Sequence, residues 1–192
     1  AVTTATAVTG SLLFNFTTNG NAELLRERFI GIVEDPARLG MLLAGIYTIG
    51  ALSQVIVGRM IDRFALKRIF IAIVLAQAPL FFMSAQAQGW AFYLLAIGYM
   101  VSVFAAIPFT DALIVRYVDD SMRSRVAGIR LAISFGISSL AVSMLGPVVK
   151  ASGFDVLLLT MAVIAMLTFC FVLLLPGTAQ PDGALQPSRA GG

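Results

Sequence analysis

Apolar positions in this chain come in long unbroken runs, each closed by charges or turn residues, and not in the alternation of a half-buried strand. Six runs approach the roughly 20 residues that a membrane-spanning helix needs. The first, 2–19, is the most polar, with Thr3, Thr4, Thr6, Thr9, Ser11, Asn15, Thr17 and Thr18. A lipid-facing helix rarely carries so many hydroxyls, so this one belongs inside a bundle. The longest interruption follows, 20–38, where Leu24, Leu25, Phe29, Ile30 and Val33 are interleaved with Glu23, Arg26, Glu27 and Arg28; that mixture predicts an amphipathic helix lying at the interface.

Asp35 followed by Pro36 reads as an N-cap and first helical turn, opening a second span through Val57 that ends in the basic stretch 59–68. The third span, 66–83, contains Pro79, tolerated in a membrane helix as a kink. Gln86 to Gly89 predicts a tight turn. Trp90 and Tyr93 then open a fourth span as interfacial aromatics, and it runs past Pro108 and Asp111 to Arg116 and Tyr117. Asp119, Asp120 and Ser121 are cap candidates for a fifth span, 123–149, in which Gly128, Ala132 and Gly136 repeat every four residues, the small-residue spacing of closely packed membrane helices. The sixth span, 156–175, is uniformly apolar and is expected at the lipid-facing periphery. The reading is therefore an all-α polytopic bundle over 1–177, with a Gly/Pro/Ser/Gln tail over 178–192 expected to be disordered and cytoplasmic.

Composition narrows the function. Apolar residues make up 59% of the chain and charged ones 12%, so the bilayer is its solvent. The net charge of +3 is too small and too scattered for a nucleic-acid footprint. Histidine is absent and Cys170 is the single cysteine, which leaves no pair for a Cys/His or Ser/His hydrolase and no ordinary metal or haem ligand set. No enzyme, metal site or cofactor is expected. Nine Lys and Arg (Arg59, Arg63, Lys67, Arg68, Arg116, Arg123, Arg125, Arg130 and Arg189) fall on one side of the spans and four (Arg26, Arg28, Arg38 and Lys150) on the other. The positive-inside rule makes the first side cytoplasmic and puts both ends of the segment there. The chain opens at Ala1 within an apolar run, without a basic flank, and is read as the downstream part of a longer protein.

The stretch Gly58-Arg59-Met60-Ile61-Asp62-Arg63, trailed by Lys67 and Arg68, joins the second and third spans. Spacing by four sets Gly58 and Asp62 on one helical face and Arg59 and Arg63 on the next. Glycine allows close helix approach, and a carboxylate there suits the positive end of a neighbouring helix. Gly-x-x-x-Asp-Arg with trailing basic residues in a short inside loop resembles the hallmark loop of the major facilitator superfamily. Ala65 stands where the family has a later glycine and Leu66 where it has a further basic residue, as in the weaker second copy found in the C-terminal half. A finer resemblance, to the fosmidomycin-resistance-like exporter branch, rests on Ile107-Pro108-Phe109-Thr110-Asp111-Ala112-Leu113, Arg123-Ser124-Arg125-Val126 and Ser134-Phe135-Gly136.

The resemblance implies the six-helix C-terminal half of a twelve-helix secondary transporter in a bacterial inner membrane. Its partners would be an N-terminal six-helix half, a small-molecule substrate and the lipid bilayer, and its action ion-coupled efflux by alternating access. It also implies a central cavity shared between halves. Asn15, with Ser11 and Thr18 on the same face, Tyr47 and Gln54 on the second span, and Tyr99 and Ser102 on the fourth are the substrate-cavity candidates. The plainer alternative is that these groups bond to neighbouring helices and hold the bundle together. Gly58, Asp62, Arg63, Lys67 and Arg68 would form a conformational latch. Asp111, the one carboxylate inside an apolar run, is a gate or coupling candidate with Arg123 or Arg125 as charge partner. The competing architecture is a complete six-helix scaffold or small channel acting as an oligomer.

Overall fold

The computed structural model describes residues 2–61, 63, 66–109 and 120–174. These are helical with short connections, and no strand occurs among them. The elements are α1 (Val2–Arg28), α2 (Pro36–Ile61), α3 (Leu66–Gln86), α4 (Gly89–Ala105) and α5 (Asp120–Leu173). α5 holds 54 residues, about 80 Å of straight helix. It does not stay straight: Gly153, at φ 77° and ψ 171°, breaks it into a first arm, 120–152, and a second arm, 154–173. By length and apolarity four candidate membrane spans are present, Pro36–Ile61, Lys67–Gln86, Gly89–Phe109 and Ser124–Leu173.

Several local signals act as expected. Asp35 accepts the Ala37 N–H at 3.1 Å and starts α2 at Pro36. α3 ends at Gln86 and α4 begins at Gly89, where only glycine fits: its φ is +55°, and an added Cβ would lie 2.7 Å from Ile32 Cδ1. α4 stops at Ala105, because Pro108 has no N–H to continue the ladder.

Two expectations are corrected. The stretch after the first span is no separate interfacial helix: α1 continues unbroken to Arg28, and Leu24, Leu25 and Phe29 are buried in the main core. The amphipathic pattern is real, but its apolar stripe faces protein, with Phe29 edge-on to Trp90 at 5.3 Å. The sixth span is open to lipid on one face only. The second arm buries Leu157, Leu158, Met161, Ala165, Thr168 and Val172, one helical stripe, chiefly against α1 and α3. Its other face, with Val163 and Met166, is exposed.

One core joins α1, α3, α4 and the second arm around Phe81, whose ring stacks on Tyr99 at 4.9 Å. A smaller cluster around Phe70 and Phe109, ring centroids 5.0 Å apart, closes the opposite end. α2 joins these clusters along one face, through Ile46 and Val57, yet is the least enclosed candidate span, and Ala141 is the one buried hydrophobic residue described on the first arm.

Arg28 fastens the outer end. Its side chain is 2% exposed, pairs with Asp155 just beyond the Gly153 break, donates to the Ala85 carbonyl and lies over the Phe92 ring. Four elements thus converge on one guanidinium. Removing the acid leaves a buried cation without its counter-charge, while removing both leaves an apolar gap. Asp155 is partly exposed, which screens the pair, so Asp155→Asn is expected to destabilise the bundle by about 1–2 kcal/mol. Arg28→Met combined with Asp155→Ala should recover part of that loss. Thermal unfolding of the detergent-solubilised variants measures both, and an unchanged midpoint for Asp155→Asn would remove the clamp.

Candidate functional site

The polar face of α1 is satisfied largely within its own helix. Thr9, Thr17 and Thr18 donate to carbonyls one turn back (Ala5, Leu13 and Phe14) at 3.0, 2.7 and 2.6 Å, and Asn15 Nδ2 donates to Ser11 O at 2.7 Å. This back-bonding lets hydroxyl-rich helices sit in hydrocarbon.

Between helices, neutral side chains reach single backbone carbonyls. Tyr47 Oη donates to Thr18 O at 2.8 Å, tying α2 to α1. Tyr93 Oη reaches Leu42 O at 3.1 Å and Ser53 Oγ reaches Val101 O at 3.1 Å, tying α2 to α4. Gln77 Nε2 donates to Ser102 O at 3.1 Å, tying α3 to α4. Tyr99 Oη instead donates to the Asn21 side-chain oxygen at 2.7 Å, fully buried between α4 and α1.

Among the cavity candidates, Asn15, Tyr47, Gln54, Tyr99 and Ser102 therefore separate. Tyr99 and Ser102 are packing residues here: Tyr99 is enclosed against Phe81, and Ser102, 6% exposed, donates to Tyr99 O. They do not face open space, because the inner side of α4 is turned into the core of its own bundle. Asn15, Tyr47 and Gln54 remain partly exposed on α1 and α2. Between these helices sits Phe104, 5.6 Å from Phe14 and 6.3 Å from Tyr47 by ring centroids, seated where Gly50 leaves room. Asn21 and Phe104 escaped the sequence reading, which treated Asn21 as part of an interfacial segment and Phe104 as one apolar residue among many.

In the loop between α2 and α3, Arg63 and Arg68 are exposed, and a Cβ at Gly58 would have no neighbour within 4 Å among the described residues. Lys67 Nζ donates to Leu173 O at 3.1 Å, so one basic residue of the motif caps the final turn of α5, where the helix dipole favours a cation. Asp62 and Asp111 lie outside the described residues, as do the Arg123 side chain and the tail 178–192; Arg125 is exposed. Among the described residues no cluster of His, Cys, Asp or Glu is able to hold a metal ion.

A cavity of about 330 Å³ lies elsewhere, between α1, α3, the end of α4 and the second arm. Ser11 lines it, with Thr6, Gly10, Gln77 and Thr168 among mostly apolar neighbours; Asn15, Tyr47, Gln54, Tyr99 and Ser102 do not.

A long-helical bundle with a basic loop between its second and third helices narrows the possibilities, and comparison with protein families decides among them. The family model described as Major Facilitator Superfamily matches residues 5–191. The chain belongs to that superfamily. It is accordingly a multi-pass membrane protein of a transporter family, whose members are transporters and not enzymes. A comparison with curated proteins gave no match.

The Tyr99–Asn21 bond separates packing from substrate contact in this superfamily member. Tyr99→Phe deletes a buried donor and strands the Asn21 oxygen, an expected cost of about 0.6–1.5 kcal/mol by thermal unfolding in detergent. A cavity-lining hydroxyl would leave the unfolding midpoint where it was.

Proposed function

We propose that the chain is the C-terminal half of a secondary active transporter that moves a small molecule out across the bacterial inner membrane by ion-coupled alternating access. In this reading it crosses the bilayer six times. α2, α3 and α4 supply three crossings and the two arms of α5 two more, since about 80 Å of helix turned at Gly153 is more than twice the roughly 30 Å hydrocarbon core. α1, too polar to qualify on apolarity, supplies the first as a helix flanked by protein. Both ends then lie in the cytoplasm, the side that carries the basic loop.

The observation that carries the proposal is the open wall formed by the first arm and α2. On the first arm Gly128, Ala132 and Gly136 are exposed, and a Cβ at either glycine would have no neighbour within 4 Å among the described residues. Small residues at this spacing gain nothing against fluid lipid but allow a second helix to approach closely. The N-terminal six-helix half is the proposed occupant, with the partly exposed Asn15, Tyr47 and Gln54 beside it as substrate contacts. Gly58, Asp62, Arg63, Lys67 and Arg68 are the proposed latch against that half, and Asp111 with Arg123 or Arg125 the cytoplasmic gate or coupling group. The exporter-branch likeness of 107–113, 123–126 and 134–136 favours outward movement of a small polar drug or metabolite.

Fosmidomycin is the probe that this likeness offers. Cells making the chain together with a complementary N-terminal half are expected to tolerate several-fold more fosmidomycin than cells making the chain alone. Asp62→Asn should remove most of the gain while protein level and substrate affinity stay nearly unchanged, because a latch biases conformations and does not touch substrate. Equal tolerance with and without the second half would overturn the half-transporter reading.

A further inference from the structure

The cavity of about 330 Å³ between α1, α3, the end of α4 and the second arm is a half-open recess walled by this chain's own helices. Its lining includes Ser11 of α1 but not Asn15, Tyr47 or Gln54, the proposed substrate contacts. Its size is at the small end of ligand pockets, which span about 300–1,000 Å³. No charged side chain lines it among the described residues, which argues against an ion or a phosphate as occupant.

Gln77 gives the cavity a chemical preference. The side chain is 2% exposed, and its Nε2 donates to Ser102 O. A backbone carbonyl only accepts, so the amide orientation is fixed by its partner. What remains is Oε1, a buried acceptor without a hydrogen-bond partner. Such an atom is costly in hydrocarbon, and Gln77 borders the cavity, the side from which a donor satisfies it. Most of the wall is apolar, from Leu13, Phe14, Phe70, Val74, Val103 and Ile107, so an occupant that fills the space is apolar over most of its surface. Gly10 opens the space further: it lines the cavity, and a Cβ there would meet nothing within 4 Å.

We infer that this cavity is a binding site within the half-bundle for a neutral, largely apolar small molecule that carries one hydrogen-bond donor, an aliphatic alcohol being the simplest case, with Gln77 Oε1 as the acceptor. The site is built from this chain's own helices and is distinct from the Asn15, Tyr47 and Gln54 contacts proposed for the substrate. An occupant there wedges α1 against α3 and the second arm, three of the elements that share the main core.

A diazirine-bearing octanol and its methyl ether, applied to the full chain in nanodiscs of phosphatidylethanolamine and phosphatidylglycerol, test the inference. After photolysis, the alcohol is expected to form adducts on Phe70, Val74 or their neighbours on α1, displaced by plain octanol, with the ether giving roughly 3- to 10-fold fewer. Gly10→Leu fills the space, improves helix propensity and should abolish the adducts without lowering the unfolding midpoint. Gln77→Met should bring alcohol and ether to equal yield. Adducts spread over exposed faces such as Phe135 and Val163 and indifferent to Gly10→Leu overturn the site, and equal labelling by alcohol and ether in the unmodified chain overturns the role of Gln77. Where Gln77→Met does not fold, Gly10→Leu and the alcohol-to-ether ratio still decide.

Discussion

Hydrocarbon offers no partner to a polar group, and the arrangement of this bundle follows from that constraint. Thr9, Asn15, Thr17 and Thr18 return their protons to carbonyls of their own helix, so α1 can be rich in hydroxyls and still sit among protein and lipid. Where helices meet, a tyrosine, serine or glutamine crosses to one carbonyl on the neighbour: Tyr47 to α1, Ser53 to α4, Gln77 to α4. These ties are neutral. Charge appears at the ends, with the buried Arg28 paired to the exposed Asp155 at one and Lys67 over the last carbonyls of α5 at the other. Neutral bonds at depth permit small helix displacements that a buried ion pair would resist, a property useful to a protein whose family works by moving helical bundles.

The class of fold was legible because its signal is one-dimensional. Run length, the Asp35-Pro36 start and the Gln86–Gly89 turn all act within a few residues, and each appears where the pattern put it. Sidedness was not legible. In water an apolar face announces the core, but in a bilayer both faces of a helix are apolar, so the uniform second arm of α5 gave no sign that Leu157, Leu158, Met161 and Ala165 are buried while Val163 and Met166 are exposed. The same ambiguity ran the other way for 20–28, where charges suggested the membrane surface although Leu24 and Leu25 belong to the core.

Site residues divided on similar lines. Tyr47 sits at a helix junction that a spacing argument can suggest, whereas the burial of Tyr99 depends on Asn21, 78 positions away. The Arg28–Asp155 pair is also remote in sequence, though one signal pointed to it: Asp155 is a lone acid opening an apolar run at the same end of the bundle as Arg28. The cavity beside Gln77 had no sequence signature, since empty space between four helices depends on how they pack.

What unites these features is a bundle closed on one side and open on the other. α1, α3, α4 and the second arm share a core that α2 joins through Ile46, while the outer face of α2 and the first arm present an apolar surface, with small residues exposed on the first arm. Nitroxide labels at positions 136 and 163, placed on a Cys170→Ser background and read for collision with dissolved oxygen in nanodiscs, distinguish a wall that takes a second bundle from one that faces lipid. In the assembled transporter the account predicts low oxygen access at 136 and high access at 163, with 136 rising to the level of 163 when the N-terminal half is omitted. High and equal access at both positions in the assembled protein would contradict it.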